Sequence, residues 1–226
     1  MSYPSRPTGY DVAYHVSRGR SDCHLTVGFD RQQGHVPRFL VTLHYRVSID
    51  PVVWGAIARM DHNETSTQGH DVYQDGLHVD IARRSGSAVH LQIRHPPLPS
   101  DRGRLIAGCI RFLQQEAQYA VDIYEGTRSP GRPPRFSPDG GDRPPTLIPM
   151  DSLRGSMSHE SPVEDALTLE ELDAALAEAT DSTPEEIRAG AKDLAEDMEP
   201  LTEADVVGYG EHDGEYGFLP EPGDES

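Results

Sequence analysis

From Tyr10 to Arg94 apolar and polar residues alternate with a period of two, and the pattern recurs in separate short runs. In "RFLVTLHYRVS" at 38–48, Phe39, Val41, Leu43, Tyr45 and Val47 fall on one side. Arg38, Thr42, His44 and Arg46 fall on the other, with Leu40 the exception. The runs at 10–16, 24–29, 77–83 and 88–94 alternate in the same way. Successive side chains of a strand point to opposite faces, so this period dictates strands with one apolar and one polar face. "VVWGAIARM" at 52–60 is apolar on both faces and reads as a central strand. "RRSGSA" at 83–88 supplies turn chemistry for a hairpin.

The period changes after "HPPLP". Ser100 or Asp101 can cap a helix in which Ile106, Cys109, Ile110, Leu113, Ala117, Ala120, Val121 and Tyr124 recur at helical spacing, with Gly126 closing it. An amphipathic helix laid on the apolar side of such a sheet makes one core. The expected fold is therefore α+β: an antiparallel sheet of about six strands, then one long C-terminal helix of roughly five to six turns packed on one face.

Beyond this unit, residues 9–126, the composition shifts. Residues 127–162 hold eight prolines and read as a semi-extended linker. Residues 163–200 carry two helix starts. Thr168 with Glu171, and Thr183 with Pro184 and Glu186, have the spacing of capping boxes. Their apolar stripes, Leu169, Leu172 and Leu176, then Ile187, Ala191, Leu194 and Met198, are too thin to fold alone. The helices must dock on the sheet domain, bind a partner or form a tail. Residues 201–226 read as a disordered, acidic end.

Charge follows the same division. Residues 1–125 contain 13 basic and 13 acidic residues, whereas residues 126–226 contain 7 and 25. The acidic half repels phosphate backbones, so nucleic acid is an expected partner only for the sheet domain, and a protein partner is expected through 163–200. The longest uncharged apolar run is far too short to span a bilayer, and no signal peptide is expected. The cysteines, Cys23 and Cys109, form no framework; reduced thiols and a cytoplasmic location are expected.

The alternation collects histidines. His15, His24, His44, His78 and His90 all take the polar side, with Arg46, Asp80 and Arg94. "RMDHNETSTQGHDVYQDGLHVDI" at 59–81 spaces His62, His70 and His78 eight apart, with His62 and His70 flanking a polar loop. Such a face is first of all a solvated strand surface. Imidazole, guanidinium and carboxylate together also suit acid–base or phosphodiester chemistry. Without HExxH, CxxC or a His-x-His pair, neither a metal nor a cofactor is expected. Gly-x-Ser-x-Gly and Gly-rich phosphate loops are also missing, and Cys109 lies on the apolar stripe as an inert thiol.

The stretch "IARMDHN…GHDVYQDGLHVDI" resembles the TumE-type toxins of prokaryotic toxin–antitoxin modules and their uncharacterised relatives, over about residues 36–125. The positions that carry the likeness are Arg59, Asp61, Asn63, Gly69, His70 and His78. The resemblance implies a curved antiparallel sheet with a C-terminal helix. It makes Arg59, Asp61, His70 and His78 the candidate catalytic residues, while the polar side read from the alternation supplies His24, His44, Arg46, Asp80 and His90 as candidate binding residues. Two functions are expected from these features. The first is a non-catalytic interaction module with an acidic regulatory tail. The second, ranked below it, is a toxin-like or RNA-directed effector working through the His/Arg face.

Overall fold

The computed structural model describes residues 3–16, 21–66, 70–131 and 166–210. The alternating runs form β1 (Val12–Val16), β2 (Cys23–Phe29), β3 (Arg38–Ile49), β4 (Val52–Asn63), β5 (His78–Ile81) and β6 (Ala88–Gln92), each antiparallel to the next. A single short turn of helix, α1 (Val72–Asp75), precedes β5. The helical run forms α2 (Arg102–Gln115) and α3 (Ala117–Glu125). The acidic half adds β7 (Ala166–Leu167), α4 (Leu169–Thr180), α5 (Pro184–Asp197) and β8 (Asp205–Gly210).

The protein is α+β, as the periods require, but the sheet departs from expectation. It has eight strands in the order β7-β1-β2-β3-β4-β5-β6-β8 and is mixed, because β7 runs parallel to β1. Both extra strands come from the acidic half and extend the two edges of the six-stranded meander. Residues 205–210, expected in a disordered end, pair with β6 instead. Residues 132–165, which hold most of the proline-rich stretch, and residues 211–226 lie outside the described residues.

The long helix is also two helices. Asp101 caps α2, its carboxylate accepting from the Gly103 and Arg104 amides at 2.8 and 3.3 Å. At Glu116 the backbone leaves helical geometry (φ −89°, ψ 6°). The run bends there, so α2 packs on β3 while α3 packs on β4 and β5, which lets one apolar stripe follow a twisted sheet.

The acidic helices dock rather than trail. Both capping boxes form, Thr168 with Glu171 and Thr183 with Glu186. Leu172, Leu176, Ile187, Ala191, Leu194 and Met198 are all buried and join one hydrophobic core with the sheet and α2. The thin stripes suffice because α5 comes very close to α2. A Cβ on Gly108 would lie 2.7 Å from Leu194 Cδ2, and one on Gly103 would lie 2.7 Å from Ile187 Cδ1. Asp173, buried at this junction, accepts from Arg111 and Arg188, each at 3.2 Å. Both cysteines are buried thiols outside any disulfide, and burial pushes the Cys109 thiol up to about 12. Among the described residues no helix is long and apolar enough to cross a membrane.

Candidate functional site

Residues paired directly across neighbouring strands share a face of a sheet. The register runs His15–Thr26–Thr42–Arg59–Asp80–His90–Gly208 across seven strands, with His24 opposite His44 and His78 opposite Gln92. All the histidines assigned to the polar side therefore lie on it. A bulge between Leu43 and His44, opposite Ala56–Ala58, reverses the parity of β4. Trp54 and Arg59 consequently share this polar face although one number is even and the other odd.

This face is not the solvated surface expected of it. Over β1–β3, Tyr3 sits against His15 and His24, Trp54 against His24, and Tyr10 and Pro7 over Gly28. His15 Nδ1 lies 2.9 Å from His24 Nε2, and Thr26 Oγ1 lies 2.9 Å from His44 Nε2. Burial, and then the neighbouring His24 and His15, push His44 down to about 3. His24 and His44 are thus interior packing residues rather than an accessible binding surface. Arg46, opposite Trp54 in the register, donates its backbone amide to Asp22 O at 2.9 Å.

Over β4–β6 the remaining candidates converge. Asp80 is 0% exposed, and its Oδ2 accepts from Arg59 Nε at 2.9 Å. Its Oδ1 is bonded by His90 Nδ1 and lies 3.6 Å from His78 Nε2. Asp61, two residues along β4 from Arg59, brings Oδ1 to 3.8 Å from Arg59 Nε. His70 arrives from the loop. The Asn63 amide donates to His70 O at 2.7 Å, and the His70 ring lies 4.0 Å from that of His78, edge on; Gly69 lies outside the described residues. Thus Arg59, Asp61, His70, His78, Asp80 and His90 form one centre.

The environments of the two touching imidazoles differ in sign. Burial, and then the adjacent His78, push His70 below the usual imidazole value. For His78 burial acts downward too, but the hydrogen bond and charge of Asp80, with Asp61 beyond, outweigh it and raise the group. Asp80 in turn is held well below the usual carboxylate range. Its burial, which alone would raise it, is overcome by His78, Arg59 and His90. His70 Nδ1 lies 3.3 Å from Asp75 Oδ2, while its Nε2 is buried with no hydrogen-bond partner.

His62 does not belong here. It follows Met60 onto the helix side of β4, where its ring packs 5.6 Å from Phe39 and 5.9 Å from Tyr73. Burial, then Arg102, lowers it. The eight-residue spacing of His62, His70 and His78 therefore carries no common site.

Asp61, His78 and Asp80 each offer one ligand atom, all within 4.8 Å of one another, and such a donor set suits a zinc or manganese ion. The charge balance argues otherwise. Arg59 already lies between the two carboxylates, and a second cation there meets a fixed guanidinium. The parity rule would also have shown Gln92, opposite His78, as part of this surface. Asp75 had no periodic signal and comes in with the loop and α1.

A family profile described as a domain of unknown function, DUF7718, matches residues 11–128, which take in β1 through α3. No curated protein and no solved structure matches the chain significantly.

Proposed function

Because the chain belongs to the DUF7718 family of domains of unknown function, its role has to be read from its own chemistry, and we propose that the centre on β4–β6 is an acid–base site that cleaves RNA phosphodiesters. One observation carries this reading: two imidazoles in contact, one pushed down and one pushed up by their surroundings. Pairs of titratable groups driven apart in this way mark an acid and a base working at one pH. His70, whose Nδ1 lies 3.3 Å from Asp75 Oδ2, is the base that takes the ribose 2′-hydroxyl proton. The freed oxygen attacks phosphorus, the bond to the 5′-oxygen breaks, and protonated His78 supplies that oxygen's proton. The products are a 2′,3′-cyclic phosphate and a 5′-hydroxyl. Asp80 is a positioning residue that steadies His78 and His90, and Arg59 holds Asp80 and Asp61 in place. The resemblance to toxin domains fits an RNA-directed effector of a toxin–antitoxin-type system.

The test is cleavage of labelled RNA by the purified full chain. His78→Ala and His70→Ala are each expected to slow it by about 10²–10⁴-fold, the usual worth of a general acid or base. Expression should arrest growth, and His78→Ala should relieve the arrest. A folded wild type that leaves every RNA intact would end the proposal.

A second reading, a non-catalytic interaction module, rests on the acidic helices. Their apolar stripes are used up inside the fold, while Glu178, Glu185, Glu196 and Asp197 face solvent. That outward acidic surface suits a basic protein partner. Replacing those four residues by Gln and Asn should abolish capture of such a partner while leaving RNA cleavage intact.

A further inference from the structure

Next to the acid–base centre lies a cleft of about 330 Å³ between α1 and the segment after β6. That volume falls at the small end of the ~300–1,000 Å³ typical of small-molecule sites. The two sites share a wall. Asp75 lines the cleft and also reaches His70, and Gln92 lines it and stands opposite His78 in the register.

Building on the acid–base reading, we propose that this cleft is a nucleobase site selective for guanine, seating the base next to the phosphodiester to be cut. Val72, Tyr73 and Leu98 give it apolar walls suited to the flat faces of a base. Its polar groups are mostly acceptors. His95 Nδ1 lies 2.7 Å from the Pro96 carbonyl, which can only accept. Nδ1 is therefore the donor in that contact, and in the neutral ring Nε2 is the acceptor. Asp75 Oδ2 accepts from the Asp71 amide at 3.0 Å, leaving Oδ1 for a ligand. The Gln74 amide nitrogen donates to Asp71 Oδ2 at 2.7 Å, leaving its carbonyl oxygen as an acceptor.

Gln92 supplies the donor. Its amide lies over Gly76, where a Cβ would come within 2.8 Å of Nε2, and Gly76 has φ +86°. A side chain there would be both strained and in the amide's way. The Gln92 amide donor among several acceptors complements an edge with adjacent N–H donors and one acceptor. Guanine presents this edge through N1–H, the N2 amine and O6. Uracil offers one N–H, and adenine and cytosine one amine each.

The experiment is titration of the full chain with 3′-GMP, 3′-AMP, 3′-CMP and 3′-UMP by isothermal calorimetry, with RNA cleavage mapped in parallel. The expected result is GMP binding at least about tenfold tighter than the others. Gln92→Leu should lose about that factor while keeping its circular dichroism spectrum, and His78→Ala should keep the preference for GMP over the other three nucleotides. Equal binding of all four nucleotides, or no binding by the folded chain, overturns the proposal. RNA cleavage without base preference would sink the cleft assignment and leave the acid–base centre standing. Selective GMP binding without RNA cleavage would sink the centre and leave the cleft.

Discussion

Replacing Asp80 by Asn keeps the side-chain volume and removes one charge from the middle of the sheet. In the native protein that carboxylate is fully buried, and Arg59, itself only 7% exposed, donates to it at 2.9 Å. Breaking a buried pair by neutralising one partner typically costs about 3–5 kcal/mol, because the other charge stays buried without compensation. Asp61, 3.8 Å from Arg59, still offsets part of that charge, so the loss should fall near the low end, about 3 kcal/mol. Against a total stability of about 5–15 kcal/mol this is a large fraction. With a urea slope of about 2 kcal/mol per M, the midpoint should drop by about 1.5 M with the slope unchanged. The penalty must also depend on pH. Asp80 is held below its unfolded value, so its contribution is complete above that value and is lost as pH falls through the depressed one. The mutant and wild-type midpoints should therefore converge in strong acid. A midpoint shift below about 0.5 M at pH 7, or a penalty independent of pH, would refute Asp80 as the charged hub of the centre.

Other outcomes follow from the same contacts. His44, pushed down to about 3 by burial and its imidazole neighbours, refuses a proton that the unfolded chain accepts below about 6.5. Stability should then fall by about 1.4 kcal/mol per pH unit on its account as pH drops through that window, and His44→Gln should flatten the acid limb of a denaturation series. Ile187→Ala, which empties a buried position of α5 against Gly103 of α2, should cost about 2–5 kcal/mol in urea unfolding; a loss below 1 kcal/mol would mean the acidic helices are not docked. With Arg59 placed between the carboxylates, RNA cleavage should survive EDTA, whereas loss in chelator and recovery with zinc or manganese would put an ion at Asp61, His78 and Asp80.

Much of the architecture is legible because it rests on local period. Alternation at 38–48 and 88–94 dictates which side of β3 and β6 is apolar, and the caps at Asp101, Thr168 and Thr183 mark helix starts, since both are properties of a few adjacent residues. The edge strands are not legible in this way. Two residues, Ala166 and Leu167, have no period, and the glycines of β8 weaken any strand signal; both form because an open sheet edge offers backbone partners. Parity likewise puts His24, His44, His78 and His90 on one side, but not their surroundings. Burial of His24 depends on Tyr3 and Trp54 arriving from elsewhere in the chain. The union of His70 with His78 depends on the backbone bond between Asn63 and His70, a closure that sequence spacing does not encode.

The proposed chemistry needs one surface to hold two touching imidazoles with opposite proton affinities. It is tested most directly by following the ring Cε1–H resonances of His70 and His78 in the full-length protein as pH is varied, with His70→Gln and His78→Gln used for assignment. His78 should titrate with a midpoint above the ordinary imidazole value and His70 with one below it. Coincident midpoints at the ordinary value, or the reverse order, would contradict it.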